Sequence, residues 1–407
     1  MFSKWVREEA GSVAILGALA VPAIIMAAGL AIDHASLSAS DAKLQSGADA
    51  AALAAAIQLG NDAKATDSNL EERSSAIAAV SFAATGSPFA GTVKQTVESR
   101  KPAVVTVELI QPQPLAFGGL FGVDTITLKQ SATATAARGE PVCLLLLDPA
   151  ASAAWSNQGS SAIDAKGCVA QVNSASSRAL HTNGTAAIET LSTRVVGPAQ
   201  SASQFSPAPL FDQPALADPI APRLDWPHNP PCTYSNVSLK SVSATLVPGT
   251  FCGGLALSSG ATLNLKAGEY VIRSGNLDLG SGSALIAPEG TTIILVDPAG
   301  IVSMQAGARF VIKAPDDGPW EGIALAVKPQ GSERTSTLIG GGETDISGIV
   351  YLPTQKLKLS GGGALAQPEP KPRIFAVNRI DMGGNGSIYM AGSSDLLALP
   401  SEPRITR

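Results

Sequence analysis

Five carboxylates in the second half of the chain could in principle support acid–base chemistry. Enzymes that cleave polysaccharides place two carboxylates, or a carboxylate beside Lys or Arg, across the scissile bond. Two of the five lie in the turn-forming sequence APDDGPW, where loop carboxylates are usually solvated. The candidates are Asp278, Asp316, Asp317, Asp345 and Asp381.

The remaining chemistry-bearing residues form no catalytic pattern. His34, His181 and His228 lie far apart in sequence and near no nucleophile motif. Asp148 is followed by Pro149 and two alanines, so it lacks the hydroxyls of a D-x-S-x-S cation site, and we expect it to cap a turn. We therefore predict no metal, no cofactor and no enzymatic activity. A membrane-tethered polysaccharide-active enzyme is the alternative.

The four cysteines fall as two local pairs, Cys143 with Cys168 and Cys232 with Cys252. No CxxC or Cys/His metal spacing accompanies them. In an oxidising compartment each pair could close a short loop, so we predict two disulfides. Four free thiols are the alternative.

The composition excludes some classes of partner and favours a small-residue core. The chain has 407 residues, of which 45% are hydrophobic, 15% charged and only 4% aromatic, with 40 glycines. Its core must therefore come from Ala, Val, Leu and Ile with many tight turns. The net charge is −5, without a long Lys/Arg block. Nucleic-acid partners are not expected, because phosphate binding needs concentrated positive charge.

An apolar segment near the N-terminus is long enough to cross a lipid bilayer. Twenty-three uncharged residues separate Glu9 from Asp33, and about 20 suffice for a span. We predict a membrane helix over residues 13–32, from Val13 to Ile32, with Pro22 accommodated mid-helix.

The orientation of this span follows from the flanking charges. Lys4 and Arg7 precede it, and the first basic residue after it is Lys43. The positive-inside bias places a tail of residues 1–12 in the cytoplasm and the bulk of the chain in the periplasm. The predicted location is a bacterial inner membrane, crossed once. A cleaved signal peptide, with Ala-x-Ala at residues 18–20, is the alternative.

Residues 33–60 have high helix propensity and no proline, so the membrane helix is predicted to continue outward as a stalk. Leu37 and Leu44 lie seven residues apart, and Ala48 and Ala51 extend a narrow small-residue face. This face could pack on another helix or be covered by the protein's own domain.

The blocks GSVAILGALAVPAIIMAAGLAID (residues 11–33) and LQSGADAAALAAA (residues 44–56) resemble the start of TadG-like proteins, a family of Flp (Tad) pilus-assembly proteins with a TadE/TadG-like N-terminus. Pilins and TadE proteins carry a Glu five residues after the processing Gly. The fifth residue after Gly11 is Leu16. The helix is therefore interpreted as a permanent anchor.

Residues 61–140 are predicted to form a small α+β domain. One or two short helices precede the alternating runs VVTVELI (residues 104–110) and DTITLKQSATATAA (residues 124–137), which are typical of strands. The Gly-rich loop PLAFGGLFGVD joins them. The FGGLFGVDTIT…SATATA pattern also resembles a segment that TadG-like proteins carry, and no chemistry is assigned to it.

A repeat dominates residues 141–400. With Φ for an apolar or small residue, Φ-x-Φ-x-x-G-x-x-Φ recurs from residues 255, 277, 302 and 357. A further copy from Ile380 has Asn385 in the Gly position, and a looser copy starts at Thr337. Repeats of 20 to 25 residues are typical of solenoids. Leu255 and Leu257 can point inward together, the following Gly allows a corner, and Leu263 begins the next inward face.

We therefore predict a mainly β fold whose largest part is a right-handed parallel β-solenoid, with a β-sandwich as the alternative. Residues 162–197 contain similar short alternating runs with Asn or Gly at the corners, and we expect them to supply the first coils. The Pro-rich segment 207–231 cannot join a central sheet and is expected to wrap the solenoid as an irregular excursion.

Together these features predict an extracytoplasmic structural or adhesive protein, anchored in the lipid bilayer and associated with Tad pilus assembly. Its expected partners, which the family resemblance implies, are other pilus-assembly or envelope proteins.

Overall fold

The structure, a computed structural model, divides the chain into two compact units. Unit 1 comprises residues 1–139 and 400–407, and unit 2 comprises residues 140–399. The residues described are 9–62, 65–83, 89–297, 300–329, 331–339, 344–360, 371–385 and 387–406, with no side chain given for residues 9–15 or 387. The fold is mainly β with one long apolar helix at its N-terminal end.

Unit 1 is built on a 53-residue helix, α1 (Glu9–Asn61), and a shorter helix, α2 (Asp67–Ala83). Three antiparallel strands follow: β1 (Thr92–Arg100), β2 (Ala103–Pro114) and β3 (Thr125–Ala137).

One face of the unit 1 sheet is buried against α1. Strand β2 alternates buried and half-buried residues, as a sheet with one covered face requires. Small residues on α1 let the helix approach the sheet closely, so they share a core with the inward side chains of β2. This core includes Leu44, Ala48, Ala51, Ala55, Leu59, Val105, Val107 and Leu109.

Unit 2 consists of short strands that follow one another with tight corners. Their bounds are β4 (Val142–Leu146), β5 (Trp155–Gly159), β6 (Ala162–Val172), β7 (Leu180–Gly184), β8 (Ala187–Val195), β9 (Phe205–Ser206), β10 (Tyr234–Lys240), β11 (Ser243–Leu246), β12 (Gly249–Ser258), β13 (Thr262–Leu265), β14 (Gly268–Arg273), β15 (Leu277–Leu279), β16 (Ala284–Ala287), β17 (Thr291–Leu295), β18 (Val302–Met304), β19 (Arg309–Lys313), β20 (Ile323–Val327), β21 (Arg334–Ile339), β22 (Thr344–Ser360), β23 (Arg373–Gly384) and β24 (Ser387–Tyr389).

These strands stack in three parallel ladders, each strand pairing with the corresponding strand of the next coil. Ladder 1 runs β10, β12, β14, β17, β20, β22, β23, β4, β6 and β8. Ladder 2 runs β10, β12, β15, β18, β21, β22, β23, β5 and β7. Ladder 3 contains two runs, β11, β13, β16, β19 and β22, and β24, β6, β8 and β9.

Every ladder pairing between these named strands is parallel, whereas the sheets of a β-sandwich are antiparallel. The alternative β-sandwich therefore does not describe unit 2. Side chains that point inward from the three ladders form one core, to which Leu255, Leu257 and Leu263 belong as expected. The corner glycines Gly260 and Gly282 have φ of 75° and 71°, which side-chain-bearing residues rarely adopt.

One copy of the sequence repeat is displaced by one residue. Ser303 pairs with Thr337 and Met304 with Leu338. Because side chains alternate between faces with a period of two, Thr337 faces outward, and Ser336 and Leu338 take the inward positions. Ser336 is fully buried and its hydroxyl donates to Gln355 Oε1 at 2.5 Å. The expectation that this copy starts at Thr337 was wrong by one position.

The order of the coils along the stack differs from their order in the chain. The chain enters at β4, which pairs with β23 from nearly the end of the unit. Strands β6, β8 and β9 extend the stack away from that junction. The next strand in the chain, β10, lies at the opposite end of the stack. Residues 162–197 therefore do not supply the first coils, as expected from their position in the sequence, but lie in the last part of the stack.

The Pro-rich segment connects the two ends of the stack. We call residues 211–231 the strap. Its contacts descend the coils in order: Leu216 bonds to Asn173, Asp218 to Tyr351, Arg223 to the carbonyl of Glu321, and Pro230 to Arg273.

The strap covers the outer face of ladder 1. The outward residues of this ladder are apolar, among them Leu145, Ile294 and Ala326, and strap residues Ile220 and Trp226 pack on them. Strands β4, β17 and β20 are consequently buried at every position, on both faces. A continuous apolar strand is the pattern expected where a parallel sheet is covered on both sides.

The entry and exit of unit 2 lie side by side, since the backbone N–H of Leu399 donates to the carbonyl of Glu140 at 3.0 Å. The chain then completes unit 1 with a last strand, β25 (Glu402–Ile405), which pairs antiparallel with β3. Unit 2 is thus an insertion into unit 1, a connection that the sequence did not predict.

Candidate functional site

The outward face of ladder 2 carries a concave surface of unit 2. A shallow groove of about 540 Å³ lies over β12, β15 and β18. It is lined by four serines, Asp278, Gln305 and Gly280, together with Ala256, Leu257 and Leu279. Ser258, Ser281 and Ser303 present hydroxyls along it. The groove has no aromatic lining residue, so it offers hydrogen bonds rather than a stacking platform.

Asp278 is the charged residue of this groove. It lies between Ala256 and Ser303 in the ladder. Partial burial raises the pKa of the Asp278 carboxyl above its ordinary value, because the neighbouring coils remove water from the charged form. A shifted carboxyl in a groove is a candidate acid, but glycoside cleavage needs a second carboxylate nearby.

Asp381 lies on the same column as Asp278 but too far away to pair with it. The column runs from Asp278 through Ser303, Thr337 and Lys358 to Asp381, four ladder steps in all. At about 4.8 Å per step the two backbones are about 19 Å apart. Catalytic carboxylates of glycosidases are separated by about 5 to 9.5 Å.

The other candidate carboxylates are engaged in ion pairs or lie in a turn. Asp381 contacts Lys356 Nζ at 3.0 Å. Asp316 contacts Lys313 at 2.7 Å in an exposed turn, next to Asp317. The structure therefore does not bring the carboxylates considered as candidates in the sequence into a catalytic pair.

Asp345, on ladder 3, accepts a hydrogen bond from the guanidinium of Arg373 at 3.2 Å. Arg373 is 3% exposed and also donates to the carbonyls of Ile346 and Tyr389. Burial lowers the pKa of Arg373, and Asp345 opposes that shift. This arrangement ties β22, β23 and β24 together, so Asp345 has a structural role.

The histidines and Asp148 also lie apart. His181 is on β7 beside Ser156, His34 is on α1, and His228 is in the strap. Asp148 Oδ1 accepts the backbone N–H groups of Ala150 and Ala151 at 2.9 and 2.8 Å, which is a turn cap. Within the ranges that the structure covers, no three His, Cys, Asp or Glu residues come together as metal ligands.

All four cysteines form disulfides, Cys143 with Cys168 and Cys232 with Cys252, in the predicted pairing. Cys143 and Cys168 are fully buried and join β4 to β6 in the core. Cys232 is exposed and joins the end of the strap to Cys252 on β12. The two bridges therefore stabilise different parts of unit 2.

The predicted packing face of the helix lies against the protein's own unit. Leu44, Ala48 and Ala51 are at most 1% exposed and belong to the core of unit 1, while Leu37 is half-buried. Residues 33–60 therefore continue α1, and their inner face is covered by the sheet and by α2 rather than free for another helix.

The predicted membrane span lies in the first half of α1. One helix, Leu16–Asn61, is long and apolar enough to cross a membrane. Pro22 and Ile32 lie within α1 and are exposed. Residues 1–8, most of the predicted cytoplasmic tail, and the side chain of Val13 lie outside the described part.

One surface was missed by sequence reasoning. The loop between β2 and β3 contains the 3₁₀ turn Gly118–Phe121 and exposes Leu120 and Phe121 by 70% and 53%. Its position beside α1 depends on Asp33, which no pattern in the sequence connects with this loop. The only available signal was the uncharged run LAFGGLFGV itself.

These observations define a class of protein: a chain with one candidate membrane helix, a small α+β unit, and a parallel-β insertion that carries no clustered catalytic residues among those the structure describes. Residues 11–58 match the family described as "Putative Flp pilus-assembly TadE/G-like". The resemblance seen in the N-terminal blocks is thereby confirmed, and residues 11–58 form a segment similar to that of TadE/G-like Flp pilus-assembly proteins.

The family match covers α1 from Gly11 onward and stops within it, before β1. A search of curated proteins finds no match, and a search of solved structures finds none either. The match associates the chain with the Tad pilus and favours a role in assembly over catalysis.

Proposed function

We propose that this protein is a membrane-anchored, extracytoplasmic structural or adhesive component associated with Tad pilus assembly, and that it acts through protein–protein or surface interactions. The observation that carries the proposal is the family match over residues 11–58. The proposed partners are other pilus-assembly or envelope proteins.

The exposure of α1 supports membrane anchoring. The most apolar window of the candidate span is only 11% buried, whereas the core helix of a soluble unit would be mostly buried. Large hydrophobic side chains point away from the protein all along this half of the helix, which lipid accommodates and water does not. They are Leu16, Leu19, Val21, Ile24, Ile25, Met26, Leu30 and Ile32.

The disulfides support a location outside the cytoplasm, because thiols in the cytosol are kept reduced. With Lys4 and Arg7 before the span, the N-terminus lies in the cytoplasm and both units lie in the periplasm of a single-pass inner-membrane protein. A C-terminal alkaline phosphatase fusion tests this orientation. It should be active, and a cytoplasmic reporter at the same position should be active only if the orientation is the reverse.

Unit 2 is proposed to be a right-handed parallel β-solenoid. The three parallel ladders support the solenoid, and the strong preference of parallel crossovers for the right hand supports the handedness. Each coil satisfies the backbone groups of the next, so the unit can present a long polar surface on a rigid scaffold. The serine-lined groove over β12, β15 and β18 is one such surface.

Gene replacement in the native host tests the function. Deletion should reduce surface pili or cell attachment, and the intact gene should restore both. Unchanged piliation together with unchanged attachment would contradict the proposal.

A second variant separates the two units. Because the N–H of Leu399 already bonds to the carbonyl of Glu140, residues 142–397 can be replaced by a short glycine linker. The excised protein should still be membrane-bound through α1. Loss of attachment with normal pili would identify unit 2 as adhesive, and loss of pili would identify it as structural.

A further inference from the structure

The loop between β2 and β3 forms an exposed apolar tip on unit 1. We call residues 115–123 the hairpin tip; their sequence, LAFGGLFGV, contains no charged residue. Leu120, Phe121 and Val123 are 70%, 53% and 44% exposed, and Ile126 at the start of β3 is 37% exposed. Four large hydrophobic side chains are thus exposed within the seven residues 120–126 at the end of a hairpin, and we call them the apolar patch. Such a patch usually marks an interaction surface.

The hairpin tip is fixed to α1 at the outer end of the proposed span. The carboxylate of Asp33 accepts the backbone N–H groups of Ala116 and Phe117 at 2.8 and 3.0 Å. Asp33 is 5% exposed although it follows directly on the apolar segment. Its charge is therefore used to hold the loop and does not face solvent.

The contact extends one helical turn toward the membrane. Gly29 is buried beneath the ring of Phe117, and a β-carbon at Gly29 would lie 2.7 Å from Phe117 Cγ. Gly29 precedes Asp33 by four residues, which is about 6 Å along a helix axis. The ring of Phe117 therefore lies beside a part of α1 that belongs to the span itself.

Exposed apolar side chains of α1 neighbour the two residues that hold the loop. Leu30, next to Gly29, and Ile32, next to Asp33, are 51% and 54% exposed. An uncharged loop rich in Phe and Leu beside a membrane helix has the composition of an element that lies at the boundary between headgroups and acyl chains.

We propose that the hairpin tip inserts into the periplasmic face of the bilayer and forms a second, shallow membrane contact beside the anchor helix. This inference rests on the proposed membrane anchoring. The occupant of the patch is lipid, because the loop that carries the patch is bonded to Asp33 at the end of the apolar segment and packs on Gly29 within it. Two contacts would fix the tilt of unit 1 at the membrane surface, which a single helix cannot do.

The experiment uses the full chain in liposomes. All four native cysteines are in disulfides, so Leu120→Cys supplies a single thiol for an environment-sensitive NBD label. The matched control is Val80→Cys on α2, because Val80 is also in unit 1 and is 65% exposed. Quenching is measured with lipids that carry a doxyl group near the headgroup, and with iodide in the water.

The expected result is several-fold stronger doxyl quenching and weaker iodide quenching at position 120 than at position 80. Equal quenching at the two positions would overturn the inference. A label at position 120 that is shielded from iodide without doxyl quenching would also overturn it, and would point to a contact between two copies of the chain.

Flotation of the unlabelled protein with the liposomes separates this inference from the anchor on which it rests. If the protein floats and the label at position 120 behaves like the control, only the hairpin tip proposal fails. If the protein does not float, the proposed anchoring fails and the insertion of the hairpin tip fails with it.

Discussion

Mild reduction is expected to open the Cys232–Cys252 disulfide well before the Cys143–Cys168 disulfide. Cys232 is exposed and Cys252 half-buried, whereas Cys143 and Cys168 are fully buried in the core of unit 2. A thiolate in solution must reach a sulfur atom to attack it, so access decides the order.

The loop entropies of the two bridges do not distinguish them. The bridges close loops with separations of 20 and 25 residues. Chain entropy gives each about 3.4 kcal/mol of stabilisation, with a difference of only about 0.2 kcal/mol between them. A difference in their reduction therefore reports their different burial.

The structural result of the first reduction should be local. Cys232 joins the end of the strap to β12, next to β10 and β11, which form the first coil. Among the residues that the structure describes, this coil pairs on one side only, with β12 and β13. Its inward residues Tyr234, Val237 and Leu246 are only partly buried. Without the bridge, residues 232–247 are held by the pairing of β10 with β12 and of β11 with β13, and by the stacking of Tyr234 on Phe251 at 4.6 Å.

The assay is alkylation of new thiols under limiting reductant, mapped by mass spectrometry, with hydrogen exchange of the same samples. Amides of β10 and β11 should exchange faster, and those of β17 and β20 should not change. The variant Cys232→Ser/Cys252→Ser should reproduce this pattern, while Cys143→Ala/Cys168→Ala should destabilise the whole unit. Simultaneous labelling of all four thiols, or earlier labelling of Cys143, would refute the reasoning.

Three further predictions concern single side chains of unit 2. Tyr351→Phe removes a 2.7 Å hydrogen bond to Asp218 and should weaken the attachment of the strap to the coils by about 2 kcal/mol. The strap should then be cleaved by protease faster than in the wild type, and an unchanged cleavage rate would contradict this prediction. Arg373→Ala should lower the free energy of unfolding by about 3 kcal/mol because it leaves buried carbonyls and Asp345 without their donor, whereas Arg379→Ala, at a more accessible ion pair with Glu333, should cost under about 1 kcal/mol; equal denaturation midpoints for the two variants would be the opposite result. The raised pKa of Asp278 means that its protonated form favours folding, so its contribution to stability is fully present below the ordinary value of 3.8 and is lost as pH rises through the folded-state pKa. Asp278→Asn should therefore raise the thermal midpoint slightly at pH 7 and leave it unchanged at pH 3, and the exposed control Asp316→Asn should show no such gain at pH 7.

The elements that depend on local pattern could be predicted from the sequence. The repeat located the inward residues of β12, β15 and β18, because alternation with a period of two and a corner glycine are local features. The same reasoning misplaced Thr337, since that copy lacks a strong apolar residue at its first inward position, where Ser336 is buried by its bond to Gln355. The apolar run of residues 10–32 likewise identified the candidate span.

Features that depend on contacts distant in sequence could not be predicted. Nothing local indicates that β4 pairs with β23, more than 200 residues later, so the order of the coils was misjudged. The strand β25 is a four-residue segment that acquires its partner only when β3 is in place. The sequence of the hairpin tip is that of an ordinary loop. Its position depends on the bond to Asp33, which holds it against α1. In each case the deciding interaction lies in the tertiary structure.

The junction of β4 with β23 also determines when unit 2 can be complete. Coils made from residues 142–210 leave the synthesis and export machinery first, but the open edge of β4 has no partner until residues 373–384 arrive. Unpaired strand edges recruit other chains. A product that stops between residues 260 and 372 would therefore carry two open edges that the complete chain lacks, one at β4 and one at its own last coil. Premature termination is thus expected to yield an aggregation-prone fragment and not a shorter working protein.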